Sequence, residues 1–153
     1  MVVGCLGGAV MRIERIWIPG RLPSLNELML DRGMRVRGKK TWCKTVAMIA
    51  QMSGCKPWPD GACVHIECVE PNQKRDPDGF SSGAAKVILD ALQHAGVLGG
   101  DGWKHVKGLS YSWRVDKEKP GVMVTLREPE PVSLPASPPA NDVQPLRAGR
   151  RRV

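Results

Sequence analysis

Apolar residues recur with two periods along this chain, and the switches between them outline the elements. From Met11 to about Ile18 the pattern predicts a strand, ended by Pro19 and Gly20, and Pro23 and Ser24 mark a turn in which Asn26 can satisfy backbone donors. The Gly-punctuated segment DRGMRVRGKK predicts a loop or a pair of short strands. Thr41 is then expected to cap a helix running to about Ser53, with Gly54 as its stop. Between Ala62 and Glu70, Val64, Ile66 and Cys68 alternate with His65 and Glu67, the signature of a half-buried strand. From about Ala84 to Ala95 the period lengthens. Ala84, Ile88, Ala91, Leu92 and Ala95 share one helical face, Lys86, Asp90, Gln93 and His94 share the other, and Gly96 closes the helix. Leu109, Tyr111, Trp113 and Val115 then alternate with Ser110, Ser112, Arg114 and Asp116. After the turn at Lys119, Pro120 and Gly121, the strand of Val122, Val124 and Leu126 is expected to pair with it as a hairpin. The order strand, helix, strand, helix, strand, strand predicts one α+β domain over residues 11–127, a small mixed sheet of about four strands flanked by two helices.

Composition trims this domain at both ends. Residues 128–153 are Pro-rich, end in Arg147 and Arg150 to Arg152, and lack apolar periodicity, so they are expected to be a disordered tail. Residues 1–10 are apolar but lack the basic start of a secretory signal and are expected to be a dispensable extension. No apolar run approaches the roughly 20 residues that span a bilayer. The five cysteines form no C-x-x-C pair, which disfavours a disulfide framework or a four-ligand zinc site and points to a reducing, cytoplasmic setting.

The formal net charge of +8 favours a polyanionic partner, with solubility charge as the bland alternative. Arg32, Arg35, Arg37, Lys39, Lys40 and Lys44 concentrate the charge and are candidate phosphate contacts, as is Arg75; a merely solvated face is the competing reading. Against this basic background stands Arg75-Asp76-Pro77-Asp78. In an extended segment Asp76 and Asp78 project to the same side, where two carboxylates suit one hard cation, and Asp101 follows the next helix among Gly99, Gly100 and Gly102. Three carboxylates of this kind suit Mg²⁺ or Mn²⁺, which can activate water and offset charge on a phosphate in displacement. The competing reading is a solvated turn, with Asp76 paired to Arg75 or capping the helix. A calcium loop and an aspartyl phosphotransferase both fit poorly. DPDGFSSGAA lacks the later acidic ligand of the first, and the polar Asn72 to Arg75 replaces the apolar strand of the second. Lys86 reads either as an i,i+4 partner of Asp90 or as an electrophile near the scissile phosphate. His65, His94 and His105 are read as structural or exposed. Trp17, Trp42 and Trp113 are read as core or dimer interface, and Trp103 is the aromatic considered for DNA contact.

Taken together, residues from about Met11 to Leu126 resemble the RusA family of Holliday junction resolvases. IPGRLPSLN resembles that family's early Pro-Pro-Ser-x-Asn turn, KRDPDG its basic residue followed by Asp-x-Asp, and KVILDALQHAGVLGGD its lysine, Asp-Ala-Leu, Ala-Gly and final aspartate. The resemblance implies a Mg²⁺-dependent homodimer that cuts opposed strands of four-way DNA junctions. Asp76, Asp78 and Asp101 occupy the essential carboxylate positions and Lys86 that of the lysine. This chain departs from the pattern with Gly79 in place of the usual Asn, Gly100 in place of the first Asp of a pair, and a longer stretch from Asp78 to Lys86. The expected function is junction-selective DNA hydrolysis. A flap or other branched-DNA nuclease, or a junction-binding protein without turnover, is the alternative.

Overall fold

The computed structural model describes the backbone at residues 4–6, 9–22, 32–75 and 77–130, and the side chains at 11–22, 37–75, 77 and 83–130. The elements are β1 (Gly4–Leu6), β2 (Ala9–Met11), β3 (Ile13–Pro19), α1 (Arg32–Met52), β4 (Ala62–Glu70), α2 (Pro77–His94), β5 (Val106–Val115) and β6 (Gly121–Arg127). The four-stranded sheet runs β3-β6-β4-β5, antiparallel except for the parallel pair β4 and β5. This is the α+β architecture with a mixed sheet and two helices that the pattern predicts. Of the expected tail at 128–153, residues 131–153 lie outside the described residues. At the other end, β1 and β2 pair antiparallel with each other, Gly4 opposite Met11, in a separate two-stranded sheet.

Alternation places Ile16 and Ile18 of β3, Val64, Ile66 and Cys68 of β4, and Val122, Val124 and Leu126 of β6 in one buried cluster. Val46 and Ala50 of α1 and Ala84, Ile88 and Leu92 of α2 complete it, so both helices contribute to covering one face of the sheet. Both glycine stops operate as expected. Gly54 (φ +69°) and Gly96 (φ +72°) follow the two helices in the left-handed conformation that an L side chain resists. After Gly96, Val97 N–H donates to the Leu92 carbonyl at 2.9 Å, and Val97 and Leu98 are buried, which turns the chain sharply back.

Three local expectations are corrected. The basic segment 32–40 is not a loop or strand pair but the first half of α1. Thr41 is interior to that helix, where its hydroxyl donates to the Arg37 carbonyl at 3.0 Å instead of capping. Gly33 and Gly38 each cost a helix about 1 kcal/mol, but a stripe at helical spacing (Lys39, Cys43, Val46, Ala50) packs toward α2 and the core and outweighs that cost. Next, α2 begins at Pro77, seven residues before the expected Ala84, because proline at a first helical position gives up no intrahelical hydrogen bond. The extended geometry expected to align Asp78 with Asp76 is therefore replaced, from Pro77 onward, by helix. Finally, β5 and β6 are not a hairpin. β4, α2 and β5 form a parallel crossover, and β6 inserts between β3 and β4, where more apolar partners await it.

That topology leaves β5 at the sheet edge. Its register sets Leu109, Tyr111 and Trp113 beside Val64, Ile66 and Cys68, yet Leu109 and Trp113 are exposed, so Trp113 is not a core residue.

Candidate active site

The sharp turn after α2 brings Asp101 back alongside its own helix. Asp101 Oδ2 accepts from Lys86 Nζ at 2.5 Å, and the same ammonium reaches Asp90 Oδ1 at 3.0 Å. Asp90 Oδ2 in turn pairs with Lys39 of α1 at 2.9 Å. Two helices and one loop thus converge on an alternating chain of charges, Lys39, Asp90, Lys86 and Asp101. The Lys86 amine is raised by its hydrogen bonds to Asp101 and Asp90 and stays cationic. Lys86 holds the Asp101 carboxyl below its ordinary range, so it stays ionised on an exposed loop. Burial pushes the Asp90 carboxyl up, but hydrogen bonds from Lys39 and Lys86 overcome this and leave it lowered. Asp90 therefore acts as the supporting group between two lysines.

The loop that presents Asp101 is braced from below by His105. A Cβ on Gly99 would lie 2.6 Å from His105 Cε1, and one on Gly100 would lie 3.0 Å from its Cδ2. The imidazole fills the space that a side chain at 99 would need and crowds one at 100. His105 is thus structural, with its Nδ1 buried and without a hydrogen-bond partner among the described residues. His65 bridges the Ser110 and Ser112 hydroxyls at 2.8 and 2.9 Å. His94 Nδ1 donates to the Asp90 carbonyl at 2.6 Å and lies 3.6 Å from Cys43 Sγ.

Asp76 and the side chain of Asp78 lie outside the described residues, so the expected Asp76, Asp78 and Asp101 cluster is represented by Asp101 alone. Among the described residues no three His, Cys, Asp or Glu gather as a ligand group for a metal. The helix nevertheless sets a scale. Lys86 lies about 12 Å and Asp90 about 18 Å along the axis from Asp78. Lys86 Nζ is held between Asp90 and Asp101, so the Asp101 carboxylate sits beside the middle of α2.

The basic residues divide into two groups. Arg37, Lys40 and Lys44 fall at i, i+3 and i+7 on the exposed side of α1, a single stripe. Lys39 faces α2 and belongs to the charge chain. Arg75 is built into the fold, its guanidinium 8% exposed, donating to Glu70 at 3.0 Å and to the Leu22 carbonyl at 2.7 Å. The side chains of Arg32 and Arg35 lie outside the described residues.

Sequence reasoning saw the Lys86 and Asp90 pair at i,i+4 but missed its extension to Lys39, which depends on how two helices cross. It also missed a hub at the start of β3. There Glu14 accepts from Cys55 Sγ at 2.7 Å, Lys56 N–H at 3.2 Å and Trp58 Nε1 at 3.3 Å, while Arg12 pairs with it at 2.8 Å and lies 4.0 Å over the Trp58 ring. Burial and the Glu14 carboxylate push the Cys55 thiol up to about 12, so it is inert. No described helix is long and apolar enough to cross a membrane. Compared with known proteins, the chain matches no family model, and no curated protein matches it.

Proposed function

We propose that this protein is a metal-dependent, structure-selective endonuclease that hydrolyses DNA strands at four-way junctions in the cytoplasm. The observation that carries the proposal is the contact between Lys86 and Asp101, residues 15 apart that a glycine-rich turn brings together on an exposed surface. An ionised, solvent-facing carboxylate is the hard oxygen donor that Mg²⁺ or Mn²⁺ takes, so Asp101 fits the metal that the sequence resemblance implies. Asp101, with Asp76 and Asp78, would hold that ion, which supplies Lewis-acid relief of charge at the phosphate and activation of water.

The chain's own residues do the remaining work. Lys86 offers a fixed cation to a phosphate oxygen as charge grows there, and Asp90 orients it. Lys39 anchors Asp90 from α1, so the helix that grips the backbone also steadies the reacting group. Arg37, Lys40 and Lys44 bind backbone phosphates. Two opposed strands call for two equivalent sites, and a two-fold dimer supplies them. About 12 Å of helix axis between Asp78 and Lys86 favours a site in which Lys86 and Asp101 of one copy complete the one begun by Asp76 and Asp78 of the other.

Replacing Arg37, Lys40 and Lys44 together by Ala removes six cations per dimer and is expected to weaken junction binding and to lower the slope of log affinity against log salt by about 5. Filter binding at several salt concentrations reads this directly. An unchanged slope would remove α1 from the interface. Cleavage of junction, flap and linear duplex in parallel tests the selectivity. Equal cutting of all three would contradict it, and binding that survives EDTA without scission in either metal would favour a junction-binding protein.

A further inference from the structure

Trp103 is 95% exposed, the most exposed large apolar side chain among the described residues. Burying an indole is among the more favourable single steps in folding, so one left in water contributes little to the stability of the domain. The backbone of its loop is braced. Val97 and Leu98 anchor the start of its loop, and His105 and Val106 N–H both donate to the Gly102 carbonyl at 2.9 Å. At the far end, Ala62 N–H donates to the His105 carbonyl at 3.0 Å. The ring therefore projects from a braced turn two residues beyond Asp101, with exposed Lys104 and Lys107 near it in sequence.

We infer that Trp103 is a stacking contact for a base exposed at the branch point of the DNA. This rests on the nuclease reading and adds the origin of its structure selectivity. In continuous duplex both faces of every internal base are covered by neighbours, whereas a branch point exposes bases and lets an indole stack on one. Exposed lysines one and four residues after Trp103 suit phosphates flanking such a base, and charged neighbours fit a nucleic acid better than an apolar protein surface.

The test uses the full chain in EDTA with a four-way junction carrying 2-aminopurine at the branch point. Wild type should change the 2-aminopurine fluorescence on binding. Trp103→Ala should lose that change and bind the junction about tenfold more weakly, with duplex binding unaltered, while Trp103→Phe retains most of the affinity and the signal. Its thermal melt and sedimentation should match wild type, since the side chain touches little. Unchanged junction affinity in Trp103→Ala, an equal loss on duplex, or dissociation of a wild-type dimer by the substitution would each overturn the inference. Because no step requires cleavage, failure here is distinct from failure of the nuclease reading, which strand scission in Mg²⁺ decides separately.

Discussion

Asp101→Asn is expected to reduce junction cleavage by about a thousandfold or more while leaving junction binding near wild type. It removes the ionised oxygen proposed for the metal and leaves Lys86 a neutral amide acceptor in place of an ion pair, but it changes no part of the basic stripe on α1. Subunit mixing sharpens the expectation. Asp78→Asn and Asp101→Asn homodimers should both be inactive. The mixed dimer should recover one site, made from Asp78 of one copy and Asp101 of the other, and nick a single strand. The spacing along α2 favours this result, since about 12 Å of helix axis separates Asp78 from Lys86, the residue that pairs with Asp101. A mixed dimer as inactive as either parent would show that Lys86 releases Asp101 to its own chain's Asp78 and that the site assembles within one copy.

The largest expected effect on stability is at Glu14, far from that chemistry. Glu14→Ala leaves Trp58 Nε1, Lys56 N–H and the Cys55 thiol without their shared acceptor and takes the ion-pair partner from Arg12, which keeps its bonds to the Lys56 and Pro57 carbonyls. The expected cost is about 3 kcal/mol, a fall in melting temperature of about 10 °C. Burial raises the Glu14 carboxyl, but hydrogen bonds from Cys55, Arg12 and Trp58 outweigh it and leave the group lowered in the fold. The sign follows from linkage. A carboxyl lowered by folding adds stability that is complete above its ordinary range and is lost as pH falls through the lowered value. Wild type should therefore lose stability on the acid side more steeply than Glu14→Gln, which has no charge to lose there. Parallel acid limbs for wild type and Glu14→Gln would contradict this account of the hub.

Much of the fold was legible because burial imposes simple periods. The alternation of Val64, Ile66 and Cys68, the stripe of Ala84, Ile88, Ala91 and Leu92, and the stops at Gly54 and Gly96 all report local chemistry. The errors fall where tertiary packing overrules it. Gly33 and Gly38 disguise the first half of α1, whose inner stripe is legible only with α2 beside it. The hairpin expectation followed adjacency in sequence, but β6 completes more of the core between β3 and β4. At the site, the spacing of Lys86 and Asp90 was readable, and so was Asp101 as a lone carboxylate among glycines. Their junction was not, because it depends on the reversal after Gly96 and on the His105 ring packed beneath Gly99 and Gly100. Lys39 carried no signal that separated it from Lys40, since only the rotation of α1 turns one toward Asp90 and the other toward water.

The central claim is hydrolysis of branched DNA, and its most direct test is cleavage of a labelled four-way junction in Mg²⁺, wild type beside Asp78→Asn, with binding measured for both. The account predicts paired, symmetric nicks by wild type, their loss in Asp78→Asn, and junction binding retained by the variant. Tight binding by wild type with no scission in Mg²⁺ or Mn²⁺ would contradict the nuclease assignment.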